Sequence, residues 1–117
     1  MPPLLRLPAA LLFAAAALLP GAARAQPAAE LVARLPALTG AERGRALAQL
    51  TEAYKGDDPT RALVYGREAL QLFVRTPDDS AHVATLDEMA WAYMTLAQYD
   101  SAVAFAERGR RVGERTG

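Results

Sequence analysis

From Ala28 onward, the apolar positions fall three and four residues apart, and no stretch alternates with period two. Helices and no strands are therefore predicted. Leu31, Val32 and Leu35 share a face of a short segment, Ala28–Leu35, that Pro36 stops. The run "TGAE" at Thr39–Glu42 has the form of a capping box, in which the Thr39 hydroxyl accepts from the Glu42 N–H. A helix over about Gly40–Lys55 follows, with Leu47, Leu50 and Tyr54 on one stripe. At "GDDP", Gly56 suits a C-terminal cap, Asp58 an N-cap and Pro59 the first turn of the next helix, which runs to about Arg75. "TPDD" at Thr76–Asp79 reads as the same device, with Pro77 in the first turn and two acids facing the positive end of the helix dipole. The fourth helix carries Val83, Leu86, Ala90, Tyr93 and Ala97, and a fifth spans about Tyr99–Arg115.

These helices repeat. Leu47, Leu50 and Ala53-Tyr54 match Leu86, Met89 and Ala92-Tyr93 at an offset of 39. Ala62-Leu63, Tyr65, Ala69 and Leu72 match Ala102-Val103, Phe105, Gly109 and Val112 at an offset of 40. The one-residue slip falls in the turn within a hairpin, where a change of length costs least. Small residues such as Ala90, Ala102 and Gly109 are expected where helices touch. Leu86, Tyr93 and Phe105 fill the space between them.

Leu86, Met89, Ala90, Tyr93, Ala102 and Phe105 follow an order that resembles the tetratricopeptide repeat family. Gly109 stands for that family's final alanine, and Ala97-Gln98-Tyr99-Asp100 for its Gly-Asp-Tyr turn. The spacing is longer than the usual ~34 residues, so the longer-helix variety is the nearer likeness. The resemblance covers roughly residues 40–115. It implies an all-α, right-handed superhelical solenoid of two hairpins, about 40–75 and 77–115, preceded by a short helix and linker at 26–39. Asp58-Pro59-Thr60-Arg61-Ala62-Leu63-Val64-Tyr65 is also similar to hairpins in the N-terminal repeat arrays of bacterial signalling proteins. In this family the side of the first helix that carries Trp91 lines a peptide-binding groove. Trp91, Asp87, Thr95 and Ala84 would form that face, with Arg45, Ala48 and Glu52 one repeat earlier. The clamp that some members use for C-terminal carboxylates is not reproduced, because Asp87, Trp91, Ala48 and Glu52 occupy its places. Leu47, Leu50, Tyr54, Ala62, Ala69, Leu86, Ala90, Tyr93, Ala102 and Phe105 would be the packing positions.

The N-terminus follows a different rule. One early charge, Arg6, precedes an apolar run from Ala9 to Leu19, a Pro20-Gly21 break and Ala23-Arg24-Ala25. This is the form of an export signal cleaved after Ala25, and the run is too short for a membrane span of about 20 residues. Residues 1–25 are read as that signal and 40–117 as the repeat domain. Removing Arg6 and Arg24 leaves eleven basic groups against thirteen acidic, a net charge of −2, which does not advertise nucleic acid. With no cysteine, disulfides and thiol chemistry are excluded.

Chemistry-bearing residues are sparse. The single histidine, His82, follows Asp78 and Asp79, but no second His or Cys completes a zinc site, and a solvated imidazole is expected. Ser80 and Ser101 sit at helix starts and read as caps rather than nucleophiles. Arg108, Arg110, Arg111 and Arg115 suit the C-terminal dipole, with a Glu107–Arg111 pair at i,i+4. No cofactor, metal or catalytic site is expected; a small helical hydrolase is the discarded reading. The expected function is a non-catalytic protein–protein interaction scaffold outside the cytoplasm, as the sensory part of a larger signalling protein. The alternative is a free-standing periplasmic or secreted adaptor that binds peptides or self-associates.

Overall fold

The computed structural model describes the backbone of residues 20–116 and the side chains of residues 27–115. Five α-helices follow one another: α1 (Pro20–Arg34), α2 (Gly40–Tyr54), α3 (Pro59–Arg75), α4 (Asp79–Thr95) and α5 (Tyr99–Thr116). A short 3-10 turn, Leu35–Ala37, links α1 to α2. There is no strand among the described residues.

Two antiparallel pairs form the body. Tyr54 stacks on Tyr65 beside the turn of the α2–α3 hairpin, and Gly44 lies under Phe73 at its far end. Tyr93 meets Phe105 in the α4–α5 hairpin, and Gly109 lies beside Leu86. The hairpins meet where Met89 of α4 fills the space above Gly66 of α3 and Phe73 packs on His82. A second link is ionic, between Lys55 at the end of α2 and Glu88 of α4. At the N-terminal end, Ala28 and Leu35 join Leu47, Leu50 and Phe73 in one apolar cluster. Arg43 secures that end: its guanidinium donates to the Leu35 carbonyl at 2.6 Å and to the Glu68 carboxylate at 2.6 and 2.8 Å.

Of the packing positions, Leu47, Leu50, Ala62, Ala69, Leu86 and Tyr93 are buried. Tyr54, Ala90, Ala102 and Phe105 are half-buried. The stripe expected on α4 is rotated: Thr85, Leu86, Met89, Ala92 and Tyr93 are buried, while Val83 and Ala90 are only partly covered. The reason is position. α4 is packed by α2, α3 and α5 at once, so it is apolar around most of its circumference and one stripe describes it poorly. Thr85 tolerates full burial because its hydroxyl donates to the Ala81 carbonyl at 2.8 Å; Thr51 does the same with Leu47.

Several local expectations are corrected. α1 begins at Pro20 rather than Ala28, runs through Gly21 and contains Pro27; Arg6 and the apolar run Ala9–Leu19 lie outside the described residues. Thr39 makes no side-chain cap, because Gly40 enters α2 at φ +56° and the hydroxyl is not aimed at the first turn. Asp58 and Asp78 do cap, accepting from the Arg61 and Ala81 N–H groups at 3.2 and 3.1 Å. Pro77 therefore lies ahead of the cap rather than in the first turn. Ser80 and Ser101 fall inside first turns and leave the cap position of α4 to Asp78. Gly56 is not left-handed; that conformation appears instead at Ala97, φ +58°. There the Gln98 N–H reaches the Tyr93 carbonyl at 2.9 Å and the Ala97 N–H reaches Met94 at 3.0 Å, a Schellman closure of α4. Ala97 is thus outside the α4 stripe.

Candidate docking groove around Trp91

α4 and α5 enclose an open groove lined by Asp87, Ala90, Trp91 and Met94 on one side and Ala102, Val103 and Ala106 on the other. Its wall is apolar because alanines at 90, 102 and 106 keep the two backbones close and leave a trough between larger side chains. Trp91 is 51 % exposed, Met94 47 % and Val103 64 %, so the groove carries contiguous apolar surface. The Lys55 ammonium stands 5.3 Å from the Trp91 ring centroid. Since Lys55 also pairs with Glu88, the rim of the groove is fixed from the neighbouring hairpin.

Asp87 supplies the charge in the groove. Partial burial, and then the adjacent Glu88, raise its carboxyl above the usual aspartate value. A Cβ on Gly109 would come within 2.7 Å of its Oδ1, so the carboxylate leans on the bare backbone of α5.

Of the seven residues expected on a ligand face, Ala48 is half-buried and the other six are exposed, yet they do not share one concavity. Trp91 and Asp87 line the groove just described. Glu52 belongs to a shallow depression with Gln49, Ala53 and Lys55, and Arg45 to another with Leu31, Arg34 and Leu38. Ala84 and Thr95 line none of these, and the Thr95 hydroxyl donates to the Trp91 carbonyl at 3.1 Å. Met94 and Ala106 were not singled out from the sequence; Val103 was expected, with Phe105, on a face of the last hairpin that lacks part of its cover. The repeat carried the signal: Val103 occupies the place of Leu63, which is 4 % exposed under α4.

His82 is not simply solvated. It is half-buried against Phe73, with ring centroids 5.6 Å apart, and it lines a concavity with Leu86, Val112, Arg108, Arg111 and Arg115. Burial, then Arg108 and Arg115, lower its pKa, with Asp79 opposing. Glu107 pairs with Arg110 at 2.9 Å, not with Arg111. Among the described residues no group of three or more metal-ligating side chains converges, and no helix is long and apolar enough to cross a membrane. No family model matches the chain, nor does any curated protein or solved structure.

Proposed function

We propose that the chain is a non-catalytic protein-interaction module of helical-repeat type, resembling the tetratricopeptide repeat, and that the groove around Trp91 takes an amphipathic helix. One observation carries this reading. The groove is the counterpart, at offsets of 39 and 40, of the surface of α2–α3 that α4 covers, with Met94 for Lys55, Ala102-Val103 for Ala62-Leu63 and Ala106 for Gly66. A surface built to be covered by a helix in one hairpin is exposed in the other. The occupant differs from α4 in one respect. Ala106 fills the space that Gly66 leaves to Met89, so the incoming helix carries a small residue there. Superhelical stacking of the two hairpins, export with cleavage after Ala25, and a place in a larger signalling protein belong to the same proposal.

Trp91 is the sole tryptophan and reports directly on the groove. The test is its emission during titration with a synthetic α4 peptide in which Trp91→Phe and Met89→Ala are introduced. A saturable blue shift, abolished by Val103→Glu in the protein, supports the reading. An unchanged emission at millimolar peptide overturns it. A shift that depends on protein concentration alone, with matching sedimentation, assigns the groove to self-association instead. The export component has its own test: mass spectrometry of the expressed product finds Gln26 first, whereas an intact Met1 rejects it.

A further inference from the structure

A concavity of about 570 Å³ lies between the N-terminal half of α4 and the C-terminal half of α5. Its floor is apolar, made by Leu86 and Val112, both buried. Its rim is cationic: Arg108, Arg111 and Arg115 surround His82. Glu114 also lines it, but that carboxylate is engaged by Arg110. Arg108 lies over the Phe105 ring at 4.8 Å, and neither Arg111 nor Arg115 has an ion-pair partner among the described residues.

The repeat shows what this arrangement lacks. Position 82 corresponds to 43 and position 108 to 68. In the first hairpin those places hold Arg43 and Glu68, a pair closed at 2.6 Å. In the second they hold His82 and Arg108, so the carboxylate of the pair has become a guanidinium and two further arginines stand nearby. Helix-dipole compensation accounts for cations near the end of α5, but not for an imidazole held among them. Burial first, and then the charges of Arg108 and Arg115, lower the pKa of His82, with Asp79 opposing.

We propose that this concavity binds a small organic anion, its carboxylate or phosphate group held by Arg108, Arg111 and Arg115 and its hydrocarbon body lying on Leu86 and Val112. Guanidinium groups are suited to this because their planar donor pairs match an oxyanion two bonds at a time. The site is separate from the Trp91 groove and does not depend on it.

His82 is the only histidine, so its imidazole proton signals in NMR are unambiguous. The experiment titrates the full chain with sodium hexanoate, with inorganic phosphate and with hexanol, at ionic strength matched by sodium chloride. Saturable shifts of the His82 signals with hexanoate or phosphate but not hexanol are expected, with a rise in the imidazole pKa as the anion neutralises its surroundings. A stronger response to hexanoate than to phosphate assigns a role to the apolar floor. Arg111→Gln with Arg115→Gln, both exposed on α5, should weaken binding at least about tenfold, a loss of about 1.4 kcal/mol, with the helical circular dichroism unchanged. No saturable shift with either anion overturns the proposal, as does a shift that survives undiminished in the double variant.

Discussion

The two hairpins solve one packing problem with different neighbours. Each places an aromatic pair beside its turn, Tyr54 on Tyr65 at 5.9 Å and Tyr93 on Phe105 at 5.0 Å. Each also carries an arginine against its aromatics, over both rings in the first hairpin and over Phe105 in the second. Arg61 reaches forward over Tyr54 and donates to the Tyr65 hydroxyl, whereas Arg108 reaches back over Phe105, which has no hydroxyl to offer. The larger difference is cover. α2–α3 is closed by α1 and the 3-10 turn at one end of its core and by α4 along its side. α4–α5 is closed by α3 and α2 along one side only, among the described residues. Matching sequence positions therefore have different energetic weights: burial, not residue type, decides what a side chain contributes.

The widest expected gap is between Leu63 and Val103. Leu63→Ala should lower the unfolding free energy by about 2–5 kcal/mol in urea melts, since a buried leucine leaves a cavity. Val103→Ala, at the equivalent exposed site, should stay within about 0.5 kcal/mol. Equal losses would mean that Val103 is covered in solution and would erase the asymmetry.

Glycines give the next contrast. A Cβ at Gly66 would sit 2.6 and 2.7 Å from Met89 Sδ and Cγ, and Met89 is fully buried. Overpacking of about 1–3 kcal/mol should outweigh the ~1 kcal/mol that alanine gains in a helix, leaving a net loss. Combining Gly66→Ala with Met89→Ala should cost less than the sum of the two single losses in a double-mutant cycle. Gly113→Ala faces only Val83 Cγ2 at 3.9 Å and should stabilise by up to about 1 kcal/mol.

A smaller gain comes from the turn of the second hairpin. Ala97 holds a left-handed conformation that the first hairpin, one residue shorter there, does not need. Ala97→Gly should raise stability by roughly 0.5–1 kcal/mol, less than the full steric cost because glycine also loosens the unfolded chain. Gly56→Ala should not show the reverse penalty, because Gly56 is not left-handed and a Cβ there meets nothing within 4 Å.

The smallest effect is on pH. His82 is lowered below 6.5 in the fold, so the unfolded chain binds more protons between its folded pKa and 6.5. Stability should rise with pH through that window and level off above it. His82→Phe should remove this slope from pH-dependent melts. Asp87, raised above 3.8, acts with the opposite sign in a more acidic window and leaves the His82 step distinguishable.

What could be read in advance depended on whether a feature is local. Asp58 caps its helix as read, because aspartate before a first turn reaches its own backbone; Asp78 does the same, although Pro77 had suggested a start two residues earlier. The ends of α3 and α4 follow from it, and the repeat offsets located Leu47, Leu50, Leu86 and Tyr93 in the core. Thr39 has the same local pattern and does not cap, because the left-handed Gly40 redirects the chain on its way from α1. Non-local features were not visible: Met89 seated at Gly66, Phe73 on His82, and Lys55 bound to Glu88 join residues that only the packed hairpins bring together. The Trp91 groove stands between these cases. Trp91 and Asp87 were legible on the outer face of a helix, while Val103 and Ala106 belong to the site only through the contact of α4 with α5.

Lys55 has one more consequence. It is the sole lysine, and in the fold its ammonium is committed to Glu88 and to the face of Trp91. A lysine-specific protease therefore has a single scissile bond in the whole chain, Lys55–Gly56, and the side chain it must recognise is partly covered by its contacts with Glu88 and Trp91. When reclosing is faster than cleavage, the rate of that one cut measures the population opened around Lys55, locally or by unfolding. Nature has left the molecule with one latch that an enzyme can pick, placed at the seam between its two halves.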